Sequence, residues 1–148
     1  MRVEFVNDLV TTPVDLRYDR LVKDWHVGVA RLATLIVVPE GFKFDWDSVP
    51  RIPWVYWRFK GRMKKSACLH DWLYLTGRTS EQEITRKQTD LVMLDCMEAE
   101  GVPLYYRRLL YAGVRLGGWR AWRRYRRAER AASDGRNEPR HQWPGCDE

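Results

Sequence analysis

Three groups of residues in this 148-residue chain bear side chains able to do chemistry. The first is the run Gly41-Phe42-Lys43-Phe44-Asp45-Trp46-Asp47-Ser48-Val49-Pro50-Arg51, which sets two carboxylates, a hydroxyl and an arginine close together. Asp45 could serve as an acid, a base or a metal ligand, Ser48 as a hydroxyl, and Arg51 as a clamp on an anion. The same residue types also build turns, with Asp47 or Ser48 capping local amides and Pro50 stiffening the exit. The second group is His70-Asp71, within Ala67-Cys68-Leu69-His70-Asp71-Trp72-Leu73-Tyr74. Imidazole and carboxylate together suit divalent metals. Adjacent helical positions stand about 100° apart, so the two side chains do not share a face but reach a common point at the helix flank. Tyr74, four residues on, falls within stacking or hydrogen-bonding reach of His70. The structural alternative is a core histidine satisfied by one partner.

The third group is a single residue, Asp90. Leu94 and Met97 lie on its helical face, so this acid projects where an apolar stripe is expected. An aspartate is rarely buried unless paired, and the partners open to it are His70, Arg51 or a metal. The alternative is an ion pair with Arg86 or Lys87 at solvent. The candidate polar site is therefore Asp45, Ser48, Arg51, His70, Asp71 and Asp90. If a divalent metal is the cofactor, His70, Asp71 and Asp90 are its expected ligands.

A separate signal is charge. Residues 1–106 carry 15 basic and 15 acidic side chains, whereas residues 107–148 carry 11 basic and 5 acidic, so the second segment accounts for the whole net charge of +6. Arg120, Arg123, Arg124, Arg126, Arg127 and Arg130 form a candidate surface for a polyanion or an acidic partner. No nucleic-acid-binding motif accompanies them, and a solvated helix face is the plain alternative.

These residues need elements to position them. Val3–Val6, Val14–Tyr18, Trp25–Arg31 and Thr34–Val38 are short runs rich in β-branched and aromatic residues, and read as strands. Pro39-Glu40-Gly41 closes the last as a turn. Lys64–Thr76 reads as a helix ended by Gly77. Ser80-Glu81-Gln82-Glu83 reads as a capping box opening a second helix that runs to Glu100 and stops at Gly101. Pro103 suits the first position of a third helix, through Tyr111 and Val114. Gly113, Gly117 and Gly118 mark a kink or a close backbone approach. Trp119–Ala132 is a basic final helix. The expected fold is α+β: a small, mainly antiparallel sheet over about 1–40, a polar loop over 41–51, and three to four helices from about 64. Residues 1–132 would form one domain, and 133–148 a flexible tail. Trp54, Tyr56, Trp57 and Trp72 are expected to wall a core or cleft.

No apolar run approaches the length of a membrane span, and the N-terminus lacks a signal-peptide core. The three cysteines, Cys68, Cys96 and Cys146, have neither disulfide-framework nor zinc-knuckle spacing, which suits a reducing compartment.

Taken in order, the motifs resemble a phage-associated family, the domain-of-unknown-function family numbered thirteen fifty-three. The matching stretches are Val38-Pro39-Glu40-Gly41-Phe42, Asp45, Ser48-Val49-Pro50-Arg51, His70-Asp71-Trp72-Leu73-Tyr74 and Asp90, with Val114-Arg115-Leu116-Gly117 similar to the family's closing segment. The chain departs from the family pattern at Phe44, where a threonine is usual, and at Asp47, where an alanine is usual. The resemblance implies a tailed-phage or prophage context and a candidate site, but no reaction. The leading expectation is thus a phage virion-associated or morphogenesis protein of the tail, baseplate or head-to-tail region, with other virion proteins as partners, found in the virion or the host bacterial cytoplasm. One alternative is a small metal-assisted hydrolase acting on peptidoglycan. Another is nucleic-acid contact through the arginine segment. No HExxH, GxSxG or Cys-His template supports catalysis.

Overall fold

The computed structural model describes residues 2–15, 18–45 and 63–134. Two three-stranded antiparallel sheets come first and four helices follow, so the fold is α+β. The strands are β1 (Val3–Phe5), β2 (Thr11–Pro13), β3 (Tyr18–Leu21), β4 (Trp25–Val29), β5 (Thr34–Val38) and β6 (Lys43–Asp45). One sheet runs β1-β4-β5 and the other β2-β3-β6. In the first, Val3 pairs with Val29 and Trp25 with Val38. The period-2 pattern of β4 decides its orientation, because Trp25, Val27 and Val29 are buried while His26 and Gly28 are half-buried.

Three strand expectations need correction. Val14–Tyr18 is not one strand: Val14 and Asp15 lie beyond the end of β2, Tyr18 opens β3, and Leu16 and Arg17 lie outside the described residues. The Asp15 carboxylate accepts from the Tyr18 amide at 2.9 Å, and the Val14 amide donates to the Tyr18 carbonyl, so local turn chemistry outweighs the β-propensity of Val14. Trp25–Arg31 stops at Val29, where Ala30–Leu32 forms a 3-10 turn ended by Ala33 at φ 50°. The run over 41–51 is not loop throughout, since after Gly41 and Phe42 the residues Lys43–Asp45 form strand β6, paired with β3 from Tyr18↔Asp45 to Arg20↔Lys43. Phe44, the departure from the family pattern, is buried in the core and stacked on Phe42.

The helices are α1 (Lys64–Thr76), α2 (Arg86–Ala99), α3 (Leu104–Gly117) and α4 (Trp119–Ser133). Helix α1 has the expected bounds. Gly77 ends it at φ 61° and returns its amide to the Leu73 carbonyl. Helix α2 starts five residues later than the Ser80 box implies. Thr79 Oγ1 accepts from the amides of Glu81 and Gln82, and Arg78 bridges Glu83, so this segment is spent on a tight loop. The working capping box is Thr85 with Gln88. Pro103 sits one residue before α3, as its cap residue.

Two apolar clusters hold the layers. The first joins Trp25, Val27, Val29, Ile36, Val38 and Phe44 of the sheets to Leu69, Leu73, Val92 and Cys96 of α1 and α2. The second joins Tyr74, Met93, Met97, Leu110 and Val114, with Trp122 and Tyr125 of α4 packed against it. Helix α1 thus lies between sheet and helices, which sets the position of everything it carries. Residues 135–148, most of the expected tail, lie outside the described residues.

Candidate functional site

Helix α1 carries His70 and Tyr74 on its inner side, four residues apart, with ring centroids 4.1 Å apart. Helix α2 presents Asp90 to both. The Tyr74 hydroxyl donates to Asp90 Oδ1 at 2.7 Å, and His70 Nε2 lies 3.2 Å from the same oxygen. Arg115 of α3 donates through Nη1 to Oδ2 at 2.7 Å, with the Arg86 guanidinium 3.8 Å from that oxygen. Asp90 is completely buried. It is one carboxylate joining three helices. On the other edge of the imidazole, His70 Nδ1 lies 3.8 Å from Asp71 Oδ1.

The electrostatics follow from these contacts. Burial pushes the Asp90 carboxyl up, but hydrogen bonds from His70, Arg115 and Tyr74 outweigh it and hold the group below the usual carboxylate range. Burial pushes the His70 imidazole down, yet Asp71 and Asp90 outweigh that and hold it above its ordinary value. Tyr74 is pushed well up, by burial first and then by Asp90. The result is a group in which one imidazole and two guanidinium groups face carboxylates.

The six candidate residues fare differently. The Asp45 backbone amide donates to Asp71 Oδ2 at 3.2 Å, so the end of β6 meets the His70-Asp71 pair. Ser48 and Arg51 lie outside the described residues, as do Asp47, Trp54, Tyr56 and Trp57. Trp72 is half-buried, edge-on to Phe42 at 5.2 Å. Of the partners open to it, Asp90 finds His70, and it also finds Tyr74 and Arg115.

The expected metal set of His70, Asp71 and Asp90 needs correction. Asp71 stands at Nδ1 and Asp90 at Nε2, on opposite edges of one ring, so the three donors cannot converge on a single ion. Both Asp90 oxygens already accept from hydrogen-bond donors. Among the described residues, no group of three histidine, cysteine, aspartate or glutamate side chains is arranged to hold a metal. The donor set therefore does not fit a metal cofactor.

Residues 20–114 match the family described as Protein of unknown function (DUF1353). The chain belongs to this family. Neither a curated protein nor a solved structure matches the chain. The DUF1353 match takes in His70, Asp71, Tyr74 and Asp90 but ends before Arg115 and all of α4. Of the described residues, no helix is long and apolar enough to cross a membrane.

Sequence reasoning missed three members of the polar framework. Arg115 was visible only as part of Val114-Arg115-Leu116-Gly117, the stretch similar to the family's closing segment, with no role attached. Asp95, five residues after Asp90, points about 140° away around α2 and is held by Arg31 through Nε at 2.6 Å and Nη2 at 3.0 Å, fixing α2 to the 3-10 turn that follows β4. Glu100 accepts from the Lys65 and Ser66 amides at 2.9 and 3.0 Å, so a carboxylate from the end of α2 caps the start of α1. Neither Asp95 nor Glu100 has a local spacing signal, because each partner lies at least 34 residues away.

The arginine segment divides in two. Arg126 turns inward and caps the end of α1, donating to the carbonyls of Thr76 at 3.0 Å, Leu75 at 2.6 Å and Tyr74 at 3.2 Å. Its expected place in a polyanion surface is corrected on that ground: its Nη1 and Nη2 donors are bound to carbonyls of α1. Arg120, Arg123, Arg124, Arg127 and Arg130 are exposed.

Proposed function

We propose that this DUF1353 protein is a bacteriophage virion-associated or morphogenesis protein of the tail, baseplate or head-to-tail region, working by binding and not by catalysis. The observation that carries the reading is the state of Asp90: fully buried, with both oxygens hydrogen-bonded to side chains of α1 and α3. Such a group braces a scaffold, its two oxygens already engaged by donors of its own chain. The exposed residues point the same way. Tyr105 and Trp119 are 66% and 42% exposed, the outer arginines are exposed as well, and tyrosine, tryptophan and arginine are enriched at protein interfaces. The phage context rests on the resemblance of the Val38–Arg51 and His70–Tyr74 segments. Partners would be other virion proteins, and the protein would reside in the virion or in the host cytoplasm before assembly. The hydrolase alternative loses support with its ligand set.

The test is mass spectrometry of purified virions of the phage that encodes the chain. Recovery at a fixed ratio to a major structural protein is the expected result. Its presence in the lysate together with absence from both virions and assembly intermediates would overturn the proposal.

A further inference from the structure

We infer that the outer face of α4 is a binding site for the phosphate backbone of nucleic acid. At 100° per residue, Arg120, Arg123, Arg124, Arg127 and Arg130 fall within one arc of about 120°. All five are exposed. The one acid of α4, Glu129, lies on the opposite side, where it pairs with Arg78 and with Arg126. None of the five outer guanidinium groups forms an ion pair with a described carboxylate.

A solvated helix face ordinarily intersperses both signs, because like charges three and four residues apart repel. Here the repulsion is left standing, which is the signature of a surface whose counter-charge arrives with a partner. The residue type narrows that partner. All five cations are arginine and none is lysine, and the planar guanidinium fork matches phosphate oxygens two at a time. The row from Arg120 to Arg130 spans about 15 Å, over which a duplex carries about nine phosphates. At the start of the row stands Trp119, half exposed, with the Arg120 and Arg123 guanidinium groups 5.2 and 5.1 Å from its ring. An exposed indole beside arginines is a stacking platform for an unpaired base.

A lipid surface fits less well. A membrane-bound helix must turn an apolar face outward, but the apolar side of α4, with Ala121, Trp122 and Tyr125, is packed on the second core cluster. The face is also held rigid, since Arg126 fastens the middle of α4 to the end of α1. The site is independent of the virion proposal, since it concerns binding in solution.

The experiment is fluorescence anisotropy of the full chain with a labelled 20-base-pair duplex and a 20-nucleotide single strand, from 50 to 200 mM salt. A variant carrying Arg120→Gln, Arg123→Gln, Arg124→Gln and Arg127→Gln alters only exposed side chains, and its circular dichroism and melting curve check that it folds. Binding by the unaltered chain is expected to weaken steeply with salt. The variant should bind at least tenfold more weakly at 50 mM, with a slope of log K against log salt shallower by about 3–4, as about 0.9 per phosphate contact requires. Failure of the unaltered chain to bind at 50 mM, or an unchanged slope in the folded variant, would overturn the inference. So would tighter binding to polyglutamate or to phosphatidylserine vesicles than to either nucleic acid, which would reassign the face to an acidic protein or a membrane surface.

Discussion

Replacing Asp90 separates a buried structural brace from an idle acid. In Asp90→Leu, the Tyr74 hydroxyl, the His70 imidazole and the Arg115 guanidinium all lose their acceptor at once. Removing one partner of a buried charged group typically costs about 3–5 kcal/mol, since the groups left behind stay desolvated and unpaired. In Asp90→Asn, one oxygen remains for Tyr74, whose 2.7 Å bond is the shortest side-chain contact to Oδ1. The amide nitrogen, however, faces the Arg115 donor, so the charge-assisted bond at Oδ2 is lost. The retained acceptor should spare about 1–3 kcal/mol relative to leucine, the usual cost of one unsatisfied buried group. At about 2–4 °C per kcal/mol for a chain of this size, leucine should melt at least about 2 °C below asparagine, and both should melt below the unaltered protein. The measurement is thermal unfolding by circular dichroism at pH 6, backed by urea titration to confirm that the m-value is unchanged. Equal Tm values for the two variants would refute the reasoning, since an exposed acid would tolerate either change.

Three further outcomes follow from the same geometry. His70 titrates above its ordinary value of 6.5, so its contribution is fully present below that pH and fades as pH rises through the elevated folded value, while Asp90's is lost only as pH falls through its lowered folded value, below the ordinary 3.8. The Tm should therefore fall between pH 6 and pH 8 in the unaltered protein, and His70→Gln should flatten that decline; an equally steep decline in the variant would count against the pairing. Gly118→Ala places a Cβ 2.5 Å from the Tyr74 hydroxyl, which Asp90 holds and which cannot easily retreat, so urea unfolding should show a loss of about 1–3 kcal/mol, and a neutral result would contradict the close approach. Zinc, manganese or magnesium should leave the Tm unchanged, and a metal-dependent rise that His70→Ala abolishes would restore the metal-site reading.

How much of this was legible beforehand depends on whether the partner is local. The bounds of α1 could be read because Gly77 is its own signal, and the apolar face of β4 because alternation over five residues is its own signal. Ser80–Glu83 misled because a capping box is a sequence pattern that a neighbouring side chain, Thr79, can pre-empt by folding the same segment into a loop through the amides of Glu81 and Gln82. Likewise β6 was hidden because Lys43 and Asp45 are polar, and the strand exists through its pairing with β3, over 20 residues away in sequence. Asp90 could be singled out from its place on an apolar helix face. Its partner Arg115 could not, because nothing in a single sequence ties positions 25 residues apart on different helices.

The buried cluster and the basic face are mechanically one assembly. Tyr74 is the shared residue: its hydroxyl is fixed by Asp90, its ring stacks beside His70, and Trp122 of α4 meets that ring edge-on at 5.3 Å. One turn of helix further along α4, Arg126 is laid over the Trp122 ring and capped onto the carbonyls of Tyr74, Leu75 and Thr76. The inner edge of α4 is thereby registered against the same segment of α1 that the polar cluster orients. A helix bearing five unneutralised arginines would gain from fraying, since separation relieves repulsion between them. The Asp90 brace opposes that tendency by fixing the surface on which α4 is laid. If the charged face takes a partner as inferred above, the buried aspartate would preset the orientation of that face before the partner arrives.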